Sequence, residues 1–330
     1  MQQISSRNFL IILLVTLIVM VLILLYLYFL LNQPPGLPAV QSQQMQHLFS
    51  IYGYGTSEDE LLYRPTDVAF DEDGNIFIAD TGHARVLKFD SSGKFLRKFG
   101  KKGFGKGDLM EPVGISVSKD GQIFVADKAL SKIVVFDDES GNVQSEFQVM
   151  MPIKPQIANG KLYLTTYAHV MIFNLNCEKL DEWGRRGKQV GEFDSPAGIA
   201  VDEDDNVYVS DTLNLRFQAF SKRNKLLWVR GKPAKDTKAE DRKFGLPYGV
   251  AIDDKNLLYV VDAFDSSIRV LDKKGNQIVV LGGKEGSREG QFYQPTGIAY
   301  DQNGVFAIAD KFNDRVQVVR ITVDANQPRK

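Results

Sequence analysis

An all-β chain wound into a six-bladed β-propeller behind one N-terminal transmembrane helix is what this sequence predicts, on three observations. An uncharged apolar run of 23 residues occupies positions 9–31. A strand–turn–strand motif recurs six times between residues 65 and 310. A strand-like segment at 47–53 stands ahead of the first copy, while the last copy stops one strand short, near Ile321. The averages hide this division: 330 residues, 44% apolar, 25% charged, and 40 basic against 41 acidic residues for a net charge of −1. That balance supplies no bulk field for a polyanion and speaks against a dedicated nucleic-acid binder.

Residues 1–8 read as a short cytoplasmic tail and 9–31 (FLIILLVTLIVMVLILLYLYFLL) as the anchor. As a helix the run spans about 35 Å, enough for a hydrocarbon core of about 30 Å. A cleaved signal has a shorter core and a small-residue cleavage site; the exit NQPPGLPA at 32–39 has none. Arg7 precedes the run and no Lys or Arg follows it until Arg64, so the positive-inside rule places everything after residue 32 outside the cytoplasm. Residues 32–46, rich in Pro and Gln, read as an extended spacer. The expected localisation is a single-pass cell-membrane protein, in contact with the lipid bilayer through 9–31.

The repeat covers 47–321, with 322–330 as a tail. Its copies are PTDVAFDEDGNIFIAD at 65–80, PVGISVSKDGQIFVAD at 112–127, PAGIAVDEDDNVYVSD at 196–211, PYGVAIDDKNLLYVVD at 247–262 and PTGIAYDQNGVFAIAD at 295–310, with a shorter PQIANGKLYLTT at 155–166. Prolines at 65, 112, 155, 196, 247 and 295 mark them. β-branched and aromatic residues fill the strands, and Asp, Asn and Gly separate them. A third strand, such as RVLKF at 85–89, and a fourth, such as FLRKF at 95–99, complete a unit. Four antiparallel strands repeating every 40–50 residues make a propeller blade. Gly53 lies as far ahead of Pro65 as Gly100, Gly184 and Gly283 lie ahead of Pro112, Pro196 and Pro295. Residues 47–53 are therefore expected to form the outer strand of the sixth blade and to close the ring.

The recurring pattern of a Gly-rich approach, P-x-G, an Asp/Gly/Asn turn, a hydrophobic-Ala-Asp strand end and Arg-Val resembles the NHL-repeat propellers. It stands out in GGKEGSREGQFYQPTGIAYDQNG at 282–304 and GKKGFGKGDLMEPVGISVSKDG at 100–121. With the anchor, the arrangement is similar to the external half of bacterial sensor proteins. The resemblance implies the fold; propellers host many unrelated activities.

The Asp that ends the second strand (Asp80, Asp127, Asp211, Asp262, Asp310) and the basic residue five places on (Arg85, Lys132, Arg216, Arg315) read as blade architecture, the carboxylate taking loop amides and pairing across the b–c loop. Ser267 replaces the base in the fifth copy and Thr166 the Asp in the third, so those blades are expected to be looser. The acidic turns at 71–75, 202–206 and 301–304 fail the calcium-loop pattern. Resemblance to propeller lyases and lactonases implies metal held by channel histidines or carboxylates. Here His47, His83 and His169 fall on different blades, and Asp67, where other copies carry Gly, is the one channel exception. One cysteine, Cys177, excludes an internal disulfide.

On the b–c loops, large apolar residues replace the Gly82 of the first copy: Leu213, Phe264 and Phe312, joined by Leu215, with Asn313 as a polar neighbour. These read as a partner-binding face, pointing away from the membrane if the spacer leaves from the opposite end. The expected function is non-catalytic recruitment of a protein or a glycan, with no metal, cofactor or nucleic acid. The alternatives are a lyase or hydrolase with a metal at the central channel, and a structural subunit of a membrane complex.

Overall fold

The computed structural model describes residues 44–231 and 243–323, with Met20 alone before them. Six four-stranded antiparallel sheets follow one another around a ring. We number the blades 1–6 and letter their strands a–d from the axis outward. Blades 1–5 are each built from four consecutive strands, starting at Asp67, Pro112, Pro152, Pro196 and Pro247. Blade 6 takes strands a–c from residues 295–321 and strand d from Met45–Ile51.

The closing strand thus falls where the sequence places it. Met45 pairs with Ile321, Gln46 with Arg320 and Ile51 with Val316, with a bulge between His47 and Phe49. The strand begins at the c–d end of the blade and runs toward the end where the b–c loops gather.

Local chemistry explains each blade. Strand a is the inner edge of its sheet, so the prolines that open it forfeit no ladder hydrogen bond. Four of the six a–b turns are held by their first Asp: Asp71, for example, accepts from the Asp73 and Asn75 amides at 3.0 and 2.8 Å, and Gly74 takes φ +78°. Strand b is buried on both faces, as in Ile76–Asp80. Strand d alternates instead, as Val143–Gln148 shows, because only its inward residues meet a neighbouring blade.

The core is six clusters rather than one, each filling the gap between two adjacent blades. Phe77, Phe99, Ile115 and Val125 fill the gap between blades 1 and 2. Ile51, Val68, Leu87 and Val316 fill that between blades 6 and 1. Met45 belongs to the gap between blades 5 and 6.

One register differs from expectation. In blade 3 it is Pro152, not Pro155, that opens strand a: Pro152 pairs with Thr166 as Pro112 pairs with Asp127, and Pro155 sits opposite Leu164. Lys154 therefore occupies the glycine position of the motif.

Among the described residues no helix is long and apolar enough to cross a membrane. The expected anchor at 9–31 lies outside them except for Met20, as do residues 32–43 of the spacer, 232–242 of the blade 4–5 loop and 324–330.

Ile51 is buried in the cluster between blades 6 and 1, whereas Leu48 is 37% exposed. Ile51→Ala is expected to lower unfolding free energy by about 2–5 kcal/mol, and Leu48→Ala to change it by no more than about 0.5 kcal/mol. Urea denaturation checks both.

Candidate functional site

The loops at one end of the ring are tied down by the repeated aspartates. Each accepts a backbone amide from the residue 17 places earlier: Tyr63 to Asp80 at 2.8 Å, Met110 to Asp127 at 2.6 Å, Asp194 to Asp211 at 2.8 Å, Gly245 to Asp262 at 2.8 Å and Tyr293 to Asp310 at 2.7 Å. All five carboxylates are fully buried. Arg85, Arg216 and Arg315 donate to Asp80, Asp211 and Asp310 at 2.7, 2.6 and 2.8 Å and to carbonyls of the preceding d–a loop, and Arg85 and Arg315 also donate to the Tyr54 and Tyr52 hydroxyls at 3.3 and 3.2 Å.

Two blades depart from this scheme. In blade 5, Arg269 rather than residue 267 meets Asp262, at 3.0 Å, and also pairs with Asp265. The guanidinium is supplied from two places further along the same strand face, so the looseness expected from Ser267 has a substitute. In blade 2, Lys132 does not reach Asp127 but bonds Glu146 at 2.9 Å. The Asp127 carboxylate is taken by the Met110, Glu111 and Leu130 amides.

Between these anchored loops a funnel of about 570 Å³ opens on the axis. Its wall includes Tyr63, Arg64, Lys128, Tyr167, Tyr248 and Lys311. The wall threonines are engaged: Thr81 and Thr212 donate to the Pro112 and Pro247 carbonyls at 2.5 and 2.7 Å, and Thr296 donates to the Thr66 carbonyl at 2.8 Å.

The floor is an ion pair. Lys154 Nζ of blade 3 reaches across blade 2 to Asp67 Oδ2 of blade 1 at 2.6 Å and donates to the Ile115 carbonyl at 3.0 Å. The Ile115 amide donates to the same carboxylate oxygen at 2.8 Å. Both side chains are buried. Lys154 borders the funnel and also a second chamber on the other side, so it stands between the two. Burial pushes the Asp67 carboxyl up, and the Lys154 charge opposes it.

The pair bridges a glycine for a steric reason. A Cβ on Gly114 would lie 2.1 Å from the Ile153 carbonyl oxygen, and one on Gly297 2.5 Å from Asp67 Cα. Innermost strands pack too closely at this motif position for a side chain beside most neighbours. Blades 1 and 3 alone place side chains there, and the two side chains meet.

With this geometry, the family model described as a 6-bladed beta-propeller matches residues 40–153, and the NHL repeat model matches 193–220. The chain is a six-bladed propeller that carries an NHL-repeat match. It is 25% identical to human NHL repeat-containing protein 3 over 142 residues, 41% of this chain and 39% of the relative. It is 26% identical to the human E3 ubiquitin-protein ligase TRIM32 over 140 residues, 41% of this chain and 20% of that one. It thus spans about two fifths and one fifth of these relatives. Among solved structures, a protein of unknown function from Bacteroides thetaiotaomicron superposes with TM-score 0.65 at 17% identity, covering 84% of this chain and 76% of that one. A streptogramin B lyase superposes with TM-score 0.60 at 13% identity, covering 84% and 98%. Likeness at such identity speaks for the fold alone.

The propeller divides the expected partner-binding residues. Leu213 and Phe312 both line the funnel, 57% and 39% exposed. Phe312 also packs against Tyr293 at 5.4 Å. Phe264, 72% exposed, borders a separate shallow depression with Asp265 and Arg269. Leu215 is a half-buried turn residue in the left-handed conformation. Asn313 spends its amide on the Gly286 carbonyl and Asp310, both at 2.9 Å. The expected patch is therefore two surfaces, with Asn313 committed to holding a loop.

The histidines stay apart. His83 bonds Asp80 at 3.1 Å, His47 bonds Ser50 at 2.9 Å, and His169 lies 3.9 Å from Glu182. Among the described residues no group of three or more His, Cys, Asp or Glu is arranged to hold a metal ion.

Lys154 escapes sequence reasoning because the copy is counted from Pro155. Counted from Pro152, the motif reads Pro-Ile-Lys where other copies read Pro-x-Gly. That deviation, beside the Asp67 deviation, is the available signal.

Two outcomes follow for the propeller. Lys154→Met leaves Asp67 buried without its counter-charge and is expected to cost about 3–5 kcal/mol, whereas Asp67→Asn combined with Lys154→Met costs less. A double-mutant cycle in urea reads the difference. The second concerns Glu146, which Lys132 and then the Gly107 amide hold below its ordinary 4.5. A depressed folded-state value contributes stability above 4.5 that is lost as pH falls below it. The stability gap between wild type and Glu146→Gln is therefore expected to be largest near neutral pH and to close in acid, as melting temperatures across pH would show.

Proposed function

We propose that this NHL propeller is a non-catalytic recruitment module, tethered to the cell membrane by residues 9–31 and displayed outside the cytoplasm, whose funnel receives a segment of a partner protein. The observation that carries the reading is the funnel itself. It is a blind cup with a rigid, hydrogen-bonded wall and half-exposed aromatic and aliphatic side chains at its mouth: Tyr63, Tyr167, Leu213, Tyr248 and Phe312. Apolar side chains held open by a scaffold whose threonine hydroxyls are bonded internally are suited to anchoring a partner. The closing strand starts at the c–d end of its blade, which agrees with a tether on that side and a funnel facing outward. The channel carboxylate that would suggest chemistry, Asp67, is already occupied by Lys154.

A photo-cross-linking residue placed at Leu213 in the full chain is expected to capture one partner protein. Capture should fade when Tyr167→Ala and Phe312→Ala are added. Capture from position 264 but not from 213 would overturn the funnel reading, as would turnover of a bound small molecule. Protease added to intact cells should degrade the propeller, and protection would overturn the stated topology.

A further inference from the structure

The funnel is chemically two-sided. Blades 6, 1 and 2 contribute Lys311, Arg64 and Lys128; blades 3, 4 and 5 contribute Met151, Tyr167, Leu213 and Tyr248. Among the described residues, no hydrogen bond or ion pair engages the Arg64 guanidinium or the Lys128 and Lys311 ammonium groups. The Arg64 guanidinium stands by two rings, 5.3 Å from the Tyr63 centroid and 5.7 Å from that of Phe312. Lys311 stands 5.5 Å from the Phe312 ring. Of the two carboxylates among the funnel's described residues, Asp67 is neutralised by Lys154, leaving Glu111 to face three cations. Burial, then Arg64, hold the Lys311 ammonium below its ordinary 10.5, in keeping with positive charge left uncompensated there.

We infer that the funnel's ligand is an acidic polypeptide segment. Its carboxylates face Arg64, Lys128 and Lys311, and an apolar side chain lies against Tyr167, Leu213 and Tyr248. This rests on the protein-recruiting reading above and adds the partner's chemistry. Charge complementarity selects the carboxylates, and the arc through blades 3 to 5 selects the apolar group. The size fits: about 570 Å³ admits a chain end or loop tip. A nucleic-acid strand needs a basic track continuing beyond the cup, whereas the exposed d–a loop leading into blade 1 carries Glu58 and Asp59 and the whole chain has net charge −1.

The test is fluorescence anisotropy on the full-length chain in detergent. The probes are a dye-labelled hexapeptide of alternating Glu and Leu, its Gln–Leu counterpart and a single-stranded RNA hexamer. The Glu–Leu peptide is expected to bind at least about tenfold more tightly than the Gln–Leu peptide at about 50 mM salt, an advantage that shrinks at about 500 mM. The double variant Lys128→Gln with Lys311→Gln should abolish that advantage while melting as wild type does. Tyr167→Ala should weaken both peptides alike. Equal binding of the two peptides, still sensitive to Tyr167→Ala, overturns the acidic-ligand inference and leaves the funnel as a protein site. Binding of neither peptide overturns the inference too, and the Leu213 cross-link then decides the broader reading separately. Tighter binding of the RNA replaces the acidic segment with a nucleic acid.

Discussion

The antiparallel pairing of Met45–Ile51 with the last strand is the interaction on which the rest of the molecule depends. Apart from the Lys154–Asp67 pair, the blades pack against their ring neighbours, and the core is accordingly six gaps and not one centre. A row of such units can end with an open edge, which is costly to leave unpaired, or curl and pair with itself. Here one chain segment supplies both the fourth strand of blade 6 and side chains to two gaps, Met45 to one and Ile51 to the other. Further bonds cross the seam at the loop end. Asp314 accepts the Arg64 amide at 2.7 Å, and Thr296 donates to the Thr66 carbonyl at 2.8 Å. The funnel needs this closure, because Phe312 and Arg64 meet only across the seam.

Closure also sets the width of the axis. Because the ring brings innermost strands together at the Pro-x-Gly position, most copies keep glycine there, and the contact of Gly297 with blade 1 belongs to the seam itself. Where blades 1 and 3 depart, the departures are complementary in charge and span the intervening blade. A buried ion pair is weak evidence for net stability, since desolvation offsets much of the attraction. Its clearer consequence is geometric: a filled floor, with a chamber on either side of Lys154.

The strands, the blade count and the closing segment were legible because they rest on alternation and turn chemistry, which are local, and on a constant 12-residue offset. The side-chain partnerships were less so. Periodicity gives a position along a strand but not how far a long side chain reaches from it. Arg269 and the residue-267 position share a strand face, so a guanidinium two places on reaches the same carboxylate that Arg85 and Arg315 reach from the usual place. Lys132 sits at the expected position and still bonds Glu146, leaving Asp127 to three backbone amides. The Lys154 pairing needed both the correct proline and the ring, since 87 residues separate it from Asp67.

The same logic locates recognition. The aspartates and the loop amides they hold recur in five blades, so they give those five loops a common framework. The residue following the end of strand b is held equally firmly but is free to vary: Thr81, Lys128, Tyr167, Thr212, Ala263 and Lys311 in blades 1 to 6. Five of these six line the funnel. A repeat that fixes one position and releases the next produces a ring of independently chosen side chains at a common depth. The asymmetry between a cationic and an apolar arc then requires no departure from the fold, only different residues at equivalent places. A ligand that reads this ring must itself be two-sided, and the constant framework beneath it means that specificity can change by single substitutions without loss of the propeller.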